Sequence, residues 1–171
     1  ITPAQLHKAD GSYTKTSGAP ANTTVNYKNG HWGWKVTWED NDGTTLKTEY
    51  CYTTPSDTWL TSNKPANPSK ECKTFSSWSK TTDDETKQER VYTATYTDNT
   101  YAITYAKGAN GTGTIDGGTK TCGTDFTLSS ATFTRTGYTQ TGWSTSDGGE
   151  KAYELGGKYT TDAAQTFYPF W

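Results

Sequence analysis

A mostly β fold made of two small units is what the sequence predicts, and three observations predict it. Threonine accounts for 37 of the 171 residues. Its branched Cβ is stiff at χ1, which suits strands and disfavours helix interiors. Aromatic residues outnumber aliphatic ones: 5 Phe, 7 Trp and 12 Tyr stand against 3 Val, 3 Ile, 5 Leu and no Met. So low an aliphatic content ordinarily marks a disordered chain. Here the net charge is only −2, and each ring buries roughly 150–250 Å², so small aromatic cores are expected instead. The third observation is alternation of large and small side chains in runs bounded by turn residues.

The elements follow in chain order. Residues 1–30 read as an extended N-terminal segment or linker, with Gly11-Ser12, Ser17-Gly18-Ala19-Pro20 and Ala21-Asn22 as linker sequence. Val25-Asn26-Tyr27 is a candidate edge strand, and a disordered arm is the open alternative. In His31–Trp38 the residues Trp32, Trp34, Val36 and Trp38 fall on one face. Asn41-Asp42-Gly43 then signals a hairpin turn. In Val91–Thr97, Tyr92, Ala94 and Tyr96 alternate with Val91, Thr93, Thr95 and Thr97. In Tyr101–Lys107, Tyr101, Ile103 and Tyr105 alternate with small or polar residues. Asn110-Gly111, Asp116-Gly117-Gly118 and Asp147-Gly148-Gly149 mark later turns.

These runs repeat. Val36-Thr37-Trp38 leading into Asp42-Gly43-Thr44 has a counterpart in Ile103-Thr104-Tyr105 leading into Asn110-Gly111-Thr112. Thr74–Ser79 matches Tyr138–Ser144, and Val91–Tyr96 matches Thr166–Trp171. Trp38 and Trp78 are 40 residues apart, Tyr105 and Trp143 38. Two divergent units are expected, residues 31–99 and 100–171, joined near Asp98–Thr100.

Residues 101–171 resemble a Listeria–Bacteroides repeat, the type also called the internalin B-repeat. The resemblance rests on Arg135-Thr136-Gly137-Tyr138 running into Thr141-Gly142-Trp143, on the turn Gly156-Gly157-Lys158-Tyr159, and on a closing Tyr168-x-x-Trp171. Residues 34–98 resemble a sister form through Val36-Thr37-Trp38, Asp42-Gly43-Thr44-x-Leu46, Pro65-Ala66, Phe75-Ser76-Ser77-Trp78-Ser79 and Tyr92–Tyr96. Two departures stand out: Ser77 replaces the Gly that usually precedes the Trp, and Pro169-Phe170 replaces a small-polar pair. The resemblance implies tandem β-grasp-like units on secreted or wall-attached bacterial proteins, serving as spacers and sometimes as binding surfaces. It implies no catalytic residues.

Charge and motifs exclude most other classes. The 16 basic and 18 acidic residues are well mixed, so no basic stripe invites nucleic acid. No run approaches the ~20 apolar residues of a membrane helix, and no membrane insertion is expected. Ile1 is not an initiator, so a processed or excised fragment is expected. No catalytic motif, metal set or cofactor loop is present, and the expected lists of catalytic residues, metals and cofactors are empty. His7 and His31 lack neighbouring ligands and read as surface histidines. Glu39–Gly43 lacks calcium-loop spacing and reads as a turn. Asp83-Asp84-Glu85, beside Lys87 and Arg90, reads as a solvated charge run.

Three cysteines permit three pairings. Cys51 and Cys72 bracket one loop of the first unit, so local closure favours that bridge, at roughly 3 kcal/mol, and leaves Cys122 a free buried thiol. A bridge implies an oxidising compartment; three reduced thiols in a cytosolic protein is the competing reading. Trp38, Trp78, Trp143 and Trp171 occupy repeat-matched positions and are expected in the core. Trp32, Trp34 and Trp59 have no counterpart. They pack the extension or, with Tyr52, form a ligand site in which Trp59 is the stacking ring. The functional expectation is a non-catalytic, extracellular spacer or adhesion-associated module, secreted or cell-wall attached. It is expected to be a monomer facing a host or cell-wall component, protein or glycan. The competing class is a carbohydrate-binding module of a secreted glycan-degrading enzyme.

Overall fold

In the computed structural model, which describes residues 5–7, 13–15 and 26–171, the alternating runs are strands and the fold is mostly β. Two short hairpins come first: β1 (Gln5–His7) with β2 (Tyr13–Lys15), and β3 (Tyr27–Lys28) with β4 (His31–Trp32). The second turns at Asn29-Gly30, where φ is +45° and +84°, the positive values that a two-residue hairpin turn requires. Tyr27 therefore lies in a strand, while Val25, the linker sequences and the side chain of His7 lie outside the described residues.

The expected strand His31–Trp38 is broken at Gly33, whose φ is +72°. β5 (Trp34–Glu39) starts beyond the break and buries Trp34, Val36 and Trp38 by strict alternation. Before the break the face is reversed: His31 is buried and Trp32 is half-buried. His31 is thus no surface residue. Its Nδ1 lies 3.0 Å from the Gly33 carbonyl and its Nε2 3.5 Å from Glu89.

β6 (Thr45–Cys51) returns antiparallel to β5 across the Asp40–Thr44 turn, in which Asp42 accepts from the Thr44 N–H at 2.9 Å. A short helix, α1 (Asp57–Asn63), follows. Ser56 caps it by accepting the Trp59 N–H at 3.2 Å, and Asp57 sits in its first turn, where a carboxylate suits the helix dipole. β7 (Lys73–Asp84) and β8 (Glu89–Asp98) form a long hairpin, laced by Ser77–Thr95 and Thr81–Thr93 hydroxyl pairs at 2.9 and 2.8 Å. The sheet order is β6-β5-β8-β7, with β8 parallel to β5 and Trp38 opposite Tyr92.

The remaining strands are β9 (Thr100–Tyr105), β10 (Gly118–Thr121), β11 (Phe126–Thr127), β12 (Gly142–Ser144), β13 (Lys158–Tyr159) and β14 (Gln165–Phe170). Their main sheet runs β10-β9-β14-β12, with β14 parallel to β9 and Tyr105 opposite Phe167. Order and sense are those of the first sheet. Val36 corresponds to Ile103, Trp38 to Tyr105 and Tyr92 to Phe167. The β11–β13 pair lies outside the main sheet.

The second core consists of Ile103, Leu128, Phe133, Trp143, Tyr159 and Phe167, all buried. Aromatic edges replace aliphatic bulk. Tyr153 and Tyr159 meet Phe167 edge-on at 5.5 and 5.2 Å, and Phe133 meets Trp143 the same way at 6.1 Å. Such pairs add about 0.5–1.5 kcal/mol each beyond area burial.

The described residues up to Lys70, with Phe75–Thr97, form one compact unit; Glu71–Thr74, with Asp98–Trp171, form the other. The boundary therefore differs from the expected single joint near Asp98–Thr100, because a four-residue segment from the expected first unit belongs to the second. That segment carries Cys72. Its carbonyl accepts the Asn99 N–H, and the Asn99 carbonyl accepts the Cys122 N–H, both at 2.9 Å. This ladder sets Cys72 beside Cys122, and the two are disulfide-bonded with Cα atoms 5.3 Å apart. The expected Cys51–Cys72 bridge is not formed. Cys51 ends β6 opposite Trp34 and is a free, buried thiol whose pKa burial pushes up. Sequence proximity favoured the short loop, but strand register decided the partner.

Candidate binding cleft

The first unit carries an aromatic cleft of about 350 Å³, within the size range of ligand sites. Trp38 forms its floor and is 1% exposed. Tyr92, on the neighbouring strand, stacks on it at 6.1 Å and 20°. Phe75 and Trp78, three residues apart on β7, form the wall and meet at 5.4 Å. Leu60 of α1 faces them, and Lys64, Asn67, Ser76 and Ser77 supply a polar rim. Trp78 is half-buried, yet its indole N–H is covered and finds no acceptor among the described residues.

The equivalent place in the second unit is closed by its own chain. Trp143, the counterpart of Trp78, is fully buried, and its indole N–H donates to the Ser129 carbonyl at 2.9 Å. Gln140 ties this loop down, accepting the Phe133 N–H at 2.8 Å and donating to the Gly142 carbonyl at 3.1 Å. A second segment covers the outer edge of β12. The Trp143 N–H donates to the Tyr153 carbonyl and the Ala152 N–H to the Trp143 carbonyl, both at 2.8 Å. A Cβ at Gly142 would stand 2.5 Å from the Tyr153 oxygen, so only glycine fits there. Ser77, which occupies the matching position in the first unit, meets no such cover among the described residues and uses its hydroxyl on Thr95.

The expected ligand residues are placed otherwise. Trp59 lies on α1 rather than on a disulfide-closed loop, and its ring stacks on Trp38 at 6.3 Å and 22°. One face of the half-buried ring is thus occupied by Trp38. Trp34 is 5% exposed with the Arg90 guanidinium 5.1 Å from its ring centre, so no face is open to a ligand. Trp32 and Tyr52 are half-buried, and neither lines the cleft. Of the four tryptophans expected in the core, Trp38 and Trp143 are buried, whereas Trp78 and Trp171 are half-buried. Phe75 and Tyr92 were not expected at a site. The three-residue step from Phe75 to Trp78 hides their meeting, because simple pleating sends such residues to opposite faces.

Asp83 and Asp84 of the expected solvated charge run are paired. Arg90 holds Asp83 through two bonds of 2.8 and 3.2 Å. With Lys80 it keeps that carboxyl below its usual pKa. Burial and the Asp40 carboxylate, 2.7 Å away, push the Tyr96 hydroxyl up to about 12. In the second unit Lys120 is 1% exposed and pairs with Asp162 at 2.5 Å. Lys120 and the Gly123 N–H hold the Asp162 carboxyl below its usual range. Cys72, Cys122 and Asp162 are the one grouping with metal-ligand spacing among the described residues. The disulfide consumes both thiols, and the Lys120 ammonium opposes a cation.

Residues 101–169 match the family model of the Listeria–Bacteroides repeat domain. No curated protein and no solved structure matches the chain.

Proposed function

The second unit belongs to the Listeria–Bacteroides repeat family, and from that premise we propose that the chain is a spacer module of a bacterial surface or secreted protein, with an adhesion-associated role. The family is found in bacterial surface and extracellular proteins and is generally non-catalytic. The observation that carries the reading is recurrence. Two sheets of the same order and sense, with Val36, Trp38 and Tyr92 matching Ile103, Tyr105 and Phe167, support reading the first unit as a divergent sister copy. Repeated small cores suit a chain whose task is reach rather than chemistry. The Cys72–Cys122 bridge supports an oxidising location, because such bonds are reduced in most cytosols. No described helix is long and apolar enough to cross a membrane.

Antibodies raised against the chain should label intact producing bacteria or detect it in the culture medium. Signal that appears only after lysis would overturn the surface assignment. Turnover of a polysaccharide or peptide by the purified chain would overturn the non-catalytic one.

A further inference from the structure

We propose that the first unit binds an extended segment of a partner protein. The segment adds as a strand to the outer edge of β7 and seats an apolar side chain in the cleft of Trp38, Phe75, Trp78 and Tyr92. The second unit shows what covers this place. There the chain's own Ala152-Tyr153 pairs with the outer edge at Trp143, and the Leu128–Phe133 loop fills the aromatic face. The Ser129 carbonyl of that loop also accepts the tryptophan indole N–H. Both partners are polypeptide: one completes the ladder, the other supplies apolar bulk and a carbonyl.

Among the described residues the first unit shows neither the edge partner nor the carbonyl, and α1 covers the face only in part, through Trp59 on Trp38 and Leu60 at the cleft. β7 is the last strand of its sheet, and among the described residues nothing pairs with its outer edge from Phe75 to Asp84. Among the described residues the Trp78 N–H has no acceptor, and they leave a cleft of about 350 Å³. An unsatisfied buried donor is uncommon in native folds and asks for a partner. Edge strands are normally protected by charge, and β7 is protected on one half alone. Lys80, Asp83 and Asp84 guard the hairpin end, whereas Phe75-Ser76-Ser77-Trp78-Ser79 beside the cleft carries no charge. Strand addition draws affinity from such an open ladder and specificity from an adjacent pocket. A segment at ordinary strand spacing clears the Ser77 side chain, which the close cover over Gly142 would not allow. The site is independent of where the protein resides, so it stands or falls apart from the spacer reading.

The test pans a display library of random short peptides against the intact chain. Cellulose, xylan and chitin oligosaccharides serve as the competing probes. Enriched peptides should contain an apolar residue, shift the amide resonances of Phe75–Ser79 and move the Trp78 indole N–H signal. Trp78→Phe keeps an aromatic ring but deletes the donor together with the pyrrole ring, so affinity should fall by at least about fivefold, the worth of one neutral hydrogen bond. Trp78→Ala should abolish binding, and Tyr138→Ala, on the second unit, should leave it unchanged. Enrichment that ignores Trp78, or no enrichment at all, overturns the proposal. So do oligosaccharides that move the Trp78 signal where peptides do not, since the cleft would then be a sugar site.

Discussion

Removing the Cys72–Cys122 bridge tests both the unit boundary and the source of the second unit's stability. The bridge closes a loop with a sequence separation of 50 residues. In the chain-entropy relation such a loop contributes about 4 kcal/mol. A domain of this size has a total stability of roughly 4–12 kcal/mol, at 0.05–0.15 kcal/mol per residue. One kcal/mol moves its melting temperature by about 4–8 °C, so the expected drop is about 15–30 °C. Cys72→Ala with Cys122→Ala, or reduction of the native chain, supplies the perturbation. Scanning calorimetry measures the transitions, and the Trp143 indole signal reports on the second unit while Trp38 reports on the first. The second unit should melt earlier and the first should hold. A fall confined to the first unit would refute the assignment of Glu71–Thr74 to the second.

Three further outcomes are expected. Trp143→Ala, at a fully buried ring, should cost about 3–5 kcal/mol in urea unfolding of the second unit, with the first unit unchanged. Trp59→Ala should cost the first unit about 2 kcal/mol, half the buried value, because its ring stacks on Trp38; a loss near zero would mean that the stack does not hold α1 down. Asp162 is held below its usual pKa by Lys120 and the Gly123 N–H, so its contribution is complete above the unfolded value near ~4. That contribution is lost as the pH falls through the folded value. Unfolding of the second unit at successive acid pH should show this decline, and Asp162→Asn should flatten it.

Local periodicity was readable wherever one strand spoke for itself. Val36 and Trp38, Ile103 and Tyr105, and Tyr92 and Phe167 occupy matched places because alternation needs no knowledge of distant chain. Three features were not fully readable, each for a different reason. At Gly33 the sequence allows either continued pleating or a bulge that turns the strand over, and the positive φ there selects the reversal and buries His31. Ser56-Asp57 is a helix-start signal. It lies between the two cysteines whose expected pairing makes the segment a loop, and that pairing masks the helix that carries Trp59. The cysteine partner depended on the Cys72–Asn99–Cys122 ladder, a tertiary arrangement that no spacing rule contains. The cleft was half visible: its rings were counted, but only the closed core around Trp143 shows that the one around Trp78 is open.

The Cys72–Cys122 bond also has a mechanical meaning. A chain pulled at its two ends passes its load from Cys72 straight to Cys122, and the residues between them are shielded from tension. Those residues include β7, β8, β9 and β10. A fully drawn chain gains at most about 3.3–3.6 Å per residue, so a separation of 50 residues withholds about 165–180 Å of extension. Oxidised, the module can yield only the length outside the bridge. Reduced, the same polypeptide can lengthen by more than the width of several such domains before it reaches its limit.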